Sequence, residues 1–165
     1  MNYITIKKND LMNGVGLRTV LFVSGCHHHC PFCHNPESWA FDSGQTFTSK
    51  TMTSLLSSLD NDLTDGLTIS GGDPFAPENI DQVEDICRQV RRRFPDKDIW
   101  IYTGYDFDDL KGTRIVLDRL VDVIVDGEFK NDLKYNSLHY RGSSNQHIMM
   151  LNKEDNMYYD KTLGI

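Results

Sequence analysis

The 165-residue chain has little of several things, and each shortage narrows what it can be. No stretch approaches the roughly 20 apolar residues that cross a bilayer, and the start (Met1 to Lys8) lacks the apolar run of a secretory signal. The expected location is therefore the cytoplasm, away from the membrane. Basic residues are also in short supply, 17 against 24 acidic ones, so the net charge of -7 offers no general field for phosphates and nucleic acid is not an expected partner. Four cysteines are too few for a disulfide scaffold. The length itself falls short of the roughly 250 residues of a complete eight-unit βα barrel and suits one domain with one core.

What is present alternates. Short β-branched or apolar runs at 3–6, 18–24, 67–70, 98–103, 121–125 and 146–151 read as six strands. Helical patterns lie between several of them, at about 48–60, 77–94 and 106–120, the last interrupted near Gly112. In the clearest, Ile80, Val83, Cys87, Val90 and Phe94 share one face, with Asp81, Asp85, Arg88 and Arg92 opposite. Cys87 then reads as a buried structural thiol and the trio Arg91 to Arg93 as a solvated helix end. Such alternation predicts an α/β fold with mostly parallel strands and crossover helices, whose ligands sit at the carboxyl ends of the strands. Residues 1–151 form the expected domain, and 152–165 a polar tail that docks loosely or frays.

The chemistry gathers after the second strand, where Cys26, Cys30 and Cys33 are spaced C-x3-C-x2-C. Three cysteines within eight residues, in a reducing compartment, point to metal binding or catalysis. Iron-sulfur clusters normally take four thiolates, so three would leave one iron of a four-iron cube open to a substrate. A zinc site completed by His34 or one of His27 to His29 is the alternative. A second motif, Ser70-Gly71-Gly72-Asp73-Pro74, follows the third strand. Its glycines let backbone approach a ligand and its carboxylate can face an ammonium, although alone such a turn is an ordinary strand-to-helix connection. Gly14-Val15-Gly16 is no dinucleotide motif, because it precedes a strand.

With both motifs in place, the chain resembles the radical S-adenosylmethionine enzymes, and among them the activating proteins of anaerobic ribonucleoside-triphosphate reductases. The resemblance runs through Asn13 to Gly16, Leu21 to Cys33, Asn35, Ser38, Trp39, Ser70 to Pro74, Asp98 to Trp100, Thr103 to Tyr105, Val125 to Gly127 and Arg141 to Gln146. Val15 and His34 stand where such proteins commonly have proline and tyrosine. The resemblance implies an open, partial βα barrel of about six strands. It also implies a 4Fe-4S cluster on Cys26, Cys30 and Cys33, with S-adenosylmethionine on the open iron. Reductive cleavage of that cofactor would give a 5'-deoxyadenosyl radical that takes hydrogen from a glycine of the large reductase subunit, the electron coming from reduced flavodoxin or a similar donor. Activation of another glycyl-radical enzyme, chemistry on a small molecule, and a non-catalytic zinc module remain as alternatives.

Further site roles come from the same resemblance. Gly71, Gly72 and Asp73, next to Ser70, should hold the methionyl ammonium, largely through backbone carbonyls, while Phe32 and His34 border the adenine. His28 leaves room for tuning of the cluster. Asp126, ending the fifth strand, reads either as a contact to ribose, ammonium or a cation, or as a helix or turn cap. Tyr102 and Thr103 share that ambiguity, and Arg141 to Gln146 either shape the site or meet the reductase. A chain this short leaves one side of a partial barrel uncovered, which suits a glycine presented by a larger protein.

Overall fold

The computed structural model describes residues 1–164. The strands are β1 (Asn2–Asp10), β2 (Arg18–Val23), β3 (Gln45–Thr46), β4 (Gly66–Gly71), β5 (Asp98–Tyr102), β6 (Val123–Asp126), β7 (His147–Asn152) and β8 (Met157–Asp160). They form one sheet in the order β3-β1-β2-β4-β5-β6-β7-β8. The sheet is not closed, since β3 and β8 each have a neighbour on one side only. The helices are α1 (Ser49–Leu59), α2 (Ile80–Arg93), α3 (Phe107–Leu110) and α4 (Arg114–Leu117).

The centre is parallel, as the near-continuous apolar runs of β2, β4, β5 and β6 require of strands buried on both faces. Leu21 pairs with Ile69, Ile69 with Ile101, and Ile101 with Ile124. Because successive side chains point to opposite faces, these residues join Leu55 and Leu59 of α1, Val83, Ile86 and Val90 of α2, and Ile115 of α4 in the main core. Their alternates Trp100, Val123 and Val125, with Ile148, form a smaller cluster against which Tyr102 and Tyr140 pack. One face of the sheet therefore meets helices, and the other borders a cavity. Cys87 lies wholly inside the main core, where burial pushes its thiol up to about 12 and removes it from chemistry at neutral pH.

The flanks correct the expectation of six mostly parallel strands. Pairings of β1 with β2 and β3, β6 with β7 and β7 with β8 are all antiparallel. The segment between β6 and β7 contains no crossover helix, only a short 3-10 turn at Asn131–Leu133, so the chain returns antiparallel. The polar stretch after 151 docks on the sheet. After a turn closed by Asn156 at φ 58°, residues 157–160 pair with β7, Tyr158 packs on Phe107, and the Ile148 N–H donates to Thr162. Ile165 lies outside the described residues. No helix is long and apolar enough to cross a membrane among the described residues.

Candidate metal centre

All four parallel strands end on one edge of the sheet, and the loops leaving them enclose a cavity of about 530 Å³. Cys26, Cys30 and Cys33 line it. Their loop is aimed by backbone bonds: Gly25 N–H donates to Ser38 O (2.7 Å), Cys26 N–H to Trp39 O (3.0 Å) and Cys33 N–H to Cys30 O (3.1 Å). Gly25 sits at φ 96°, and a β-carbon there would come within 2.0 Å of the Phe41 ring. Burial raises the Cys26 and Cys30 thiols above their ordinary range, while backbone N–H groups of His28 and His29 at Cys26, and of Phe129 at Cys30, favour the thiolates. Asn35 N–H lies 3.4 Å from Cys33 Sγ. Sulfurs that are costly to ionise alone but already faced by N–H donors suit a cationic metal group, which supplies the missing positive charge. No three His, Cys, Asp or Glu side chains among the described residues converge as a single ion would require. A four-iron cube instead takes its thiolates on separate irons.

The turn after β4 packs directly on this loop. Gly72 N–H donates to Val23 O (2.8 Å) and Asp73 N–H to Gly25 O (2.7 Å). Side chains are excluded here: a β-carbon on Gly71 would lie 2.7 Å from Val23 O, and one on Gly72 would lie 2.5 Å from Gly25 O. The Asp73 carboxylate, 1% exposed, is turned inward. Oδ1 accepts from Phe75 N–H (2.9 Å) and the Thr103 hydroxyl (2.8 Å). Oδ2 accepts from Gly104 N–H (2.9 Å) and lies 3.1 Å from His28 Nε2. The carboxylate that the sequence offered to a ligand ammonium is thus held by the loops after β4 and β5.

With this geometry in place, the comparisons with known proteins can be stated. The family described as "4Fe-4S single cluster domain" matches residues 12–149. The anaerobic ribonucleoside-triphosphate reductase-activating protein of Enterobacteria phage T4 is 43% identical over 148 residues, covering 90% of this chain and 93% of the relative. That of Escherichia coli (strain K12) is 43% identical over 152 residues, 88% and 96% of the two chains, and that of Haemophilus influenzae 41% over 154 residues, 90% and 97%. The chain belongs to this family of activating proteins. The matched family is described as a 4Fe-4S cluster domain and not as a zinc module.

For a family member, the remaining predicted residues divide sharply. Ser70, Gly71, Gly72, Thr103 and His34 line the cavity together with the three cysteines. Phe32 does not: at φ 60° it leaves the loop with its ring 77% exposed, outside the cavity. Phe129, absent from the sequence reading, stands inside instead, its ring 5.2 Å from that of His34. Asp126 also departs from the cofactor reading and takes the cap reading. Its Oδ2 accepts from Phe107 N–H (2.8 Å) at the start of α3, and its Oδ1 accepts from His147 N–H (2.9 Å). Arg141 lines the cavity and donates through Nη1 to Ser144 O and Gln146 O (3.0 Å each), so its loop is a wall of the site.

The histidines separate as well. His27 meets Glu78 at 3.1 Å and packs at a tilt on Phe41, and His29 stacks on Trp39 at 4.8 Å. His28 turns inward, where the Asp73 carboxylate first, and then Glu128, raise it to about 9 against the opposing effect of burial. Sequence reasoning also missed Asn79. Its buried side chain donates through Nδ2 to Ser24 O and Asp73 O, both at 2.9 Å, stapling the start of the cysteine loop to the glycine turn. The sequence pattern over 77–94 puts Asn79 inside a helix, whereas α2 begins at Ile80 and Asn79 makes no side-chain cap bond to it.

Proposed function

We propose that this chain is an activating enzyme whose cavity holds a 4Fe-4S cluster and S-adenosylmethionine and acts on a glycine in the large subunit of anaerobic ribonucleoside-triphosphate reductase. The observation that carries this reading is the meeting of the three cysteines and the Gly71-Gly72-Asp73 turn at one cavity, in a chain of this family. When bound, the cluster and S-adenosylmethionine supply a 5'-deoxyadenosyl radical capable of removing the glycine hydrogen. In this reading the open sheet is a partial βα barrel of the radical S-adenosylmethionine type, with residues 1–151 as its domain and β8 as a stapled edge.

The chain's own residues then bind and orient. Cys26, Cys30 and Cys33 hold three irons as thiolates, and the N–H groups facing two of these sulfurs favour that charge state. Backbone carbonyls of Gly71 and Gly72 receive the methionyl ammonium, and Ser70 and Thr103 form the wall beside it. His34 and Phe129 border the adenine. Asp73 acts indirectly, by locking the turn. Tyr102 closes the floor, where burial drives its hydroxyl pKa well above the ordinary range and keeps it neutral. An electron reaches the site from reduced flavodoxin or a similar donor in the cytoplasm, and the reductase loop enters from the uncovered side.

The test is anaerobic reconstitution with iron and sulfide, followed by strong reductant, S-adenosylmethionine and the large reductase subunit. Formation of 5'-deoxyadenosine together with a glycyl doublet in electron paramagnetic resonance is the expected result. Cleavage without any doublet would overturn the reductase assignment, and a colourless protein holding one zinc would overturn the cluster.

A further inference from the structure

His28 lies between Cys26 and Cys30 in the chain, yet its ring leaves the loop to meet three others. Nε2 is 3.1 Å from Asp73 Oδ2, in the turn after β4. Nδ1 is 2.9 Å from Glu128 Oε1, in the loop after β6. The ring stands edge-on to Tyr105, in the loop after β5, with centroids 4.6 Å apart. Gly104 leaves room for it, since a β-carbon there would fall 2.5 Å from His28 Cδ2. The ring is thus held by its Nδ1 contact, by the aromatic edge and by the gap at Gly104, with Nε2 facing the Asp73 carboxylate. The side chain is 12% exposed and that of Asp73 1%, which shields the contact from water.

The other links between the glycine turn and the cysteine loop stop short of the thiols. Gly72 N–H, Asp73 N–H and Asn79 all bind carbonyls of residues 23–25, before the first cysteine. Thr103 and Gly104 tie Asp73 to the end of β5. Among the described residues, His28 alone reaches from within the cysteine spacing to the carboxylate that locks the turn. We infer that His28 is a positioning residue that sets the distance between the cluster-holding loop and the turn receiving the amino-acid end of S-adenosylmethionine. The inference rests on the function proposed above. It predicts that losing the ring weakens cofactor binding while the three thiols still assemble their cluster.

The experiment compares wild type, His28→Ala, His28→Gln and Gly104→Ala, the last of which pushes the ring aside without removing it. Bound iron per chain, thermal unfolding, and the S-adenosylmethionine dissociation constant from the change in the reduced-cluster resonance signal are measured for each. Wild-type iron content with affinity lower by about tenfold in His28→Ala and Gly104→Ala is expected, a change of about 1.4 kcal/mol. His28→Gln, which keeps an N–H donor, should recover part of the loss. Affinity within twofold of wild type in both His28→Ala and Gly104→Ala overturns the inference, including when either unfolds at lower temperature, which marks a merely structural role. If His28→Ala takes up no iron, Gly104→Ala and His28→Gln decide by the same criterion. Failure of the wild type itself to bind S-adenosylmethionine would instead remove the proposed function.

Discussion

Replacing Asn79 with alanine removes the staple between the two motifs, and the structure sets the size of the effect. Asn79 is 1% exposed, and its Nδ2 donates at 2.9 Å to Ser24 O and at 2.9 Å to Asp73 O. Alanine leaves Ser24 O without its partner, whereas Asp73 O keeps the Ala76 N–H at 3.2 Å. An unpaired buried acceptor costs about 1 to 3 kcal/mol. At roughly 2 to 4 °C per kcal/mol for a chain of this size, the apoprotein should unfold roughly 2 to 12 °C lower. Asn79→Asp is a sharper probe, because a carboxylate there faces carbonyl oxygens and has no proton to donate. It should be worse than alanine at pH 8 and recover toward pH 5, where the protonated acid can donate. Thermal unfolding of apoprotein under argon, followed by circular dichroism at both pH values, measures this. An alanine variant within about 1 °C of wild type, or an aspartate variant indifferent to pH, would refute the stapling argument.

Cys30→Ala should bring bound iron and 5'-deoxyadenosine formation to background together, and retention of both would sink the ligand assignment. Gly72→Ala drives a β-carbon to 2.5 Å from the Gly25 backbone oxygen, so it should shift the glycine turn and cost at least tenfold in S-adenosylmethionine affinity, read by equilibrium dialysis. Burial raises the Asp10 carboxyl, but Lys7, Asn13 and the N–H groups of Met12 and Asn13 outweigh it and hold the group at about 2 against an ordinary 3.8. Its stabilising contribution is therefore complete above pH 3.8 and disappears as pH falls through 2, so Asp10→Asn should flatten the acid limb of a stability-pH curve between those values. Truncation after Asn152 removes β8 and the Tyr158 contact with Phe107, and should lower the unfolding temperature by several degrees. An unchanged midpoint would mean that the tail contributes nothing.

Much of the fold was legible because its signals are local. The runs that became β2, β4, β5 and β6 are apolar on both faces, and the stripe through Val83, Cys87 and Val90 repeats at the helical period. The weak helix over 106–120 splits into α3 and α4 around Gly112, where the interruption was visible. The flanks were less legible. β3 is two residues long, and β8 sits in a stretch whose polar side chains disguise the pairing of Tyr158 and Tyr159 with β7. Edge strands need burial on one face at most, so their composition resembles a loop.

The candidate site shows the same division. Sequence alone determined that three thiols share one short loop and that two glycines follow a central strand, because both facts are spacings along the chain. It also determined the family. Tertiary structure decided what each polar group does with its valences. Asp73 spends its carboxylate on Phe75, Thr103 and Gly104 and leaves the backbone of its turn to face the cavity. Asp126 caps α3 where the chain order alone allowed a ligand contact. Phe129 fills the place beside His34 that Phe32 was expected to help line, and His28 finds Glu128 a hundred residues away. The reason is physical. A spacing survives in any conformation, whereas a hydrogen-bond partner exists only once four parallel strands have brought their separate loops to one edge.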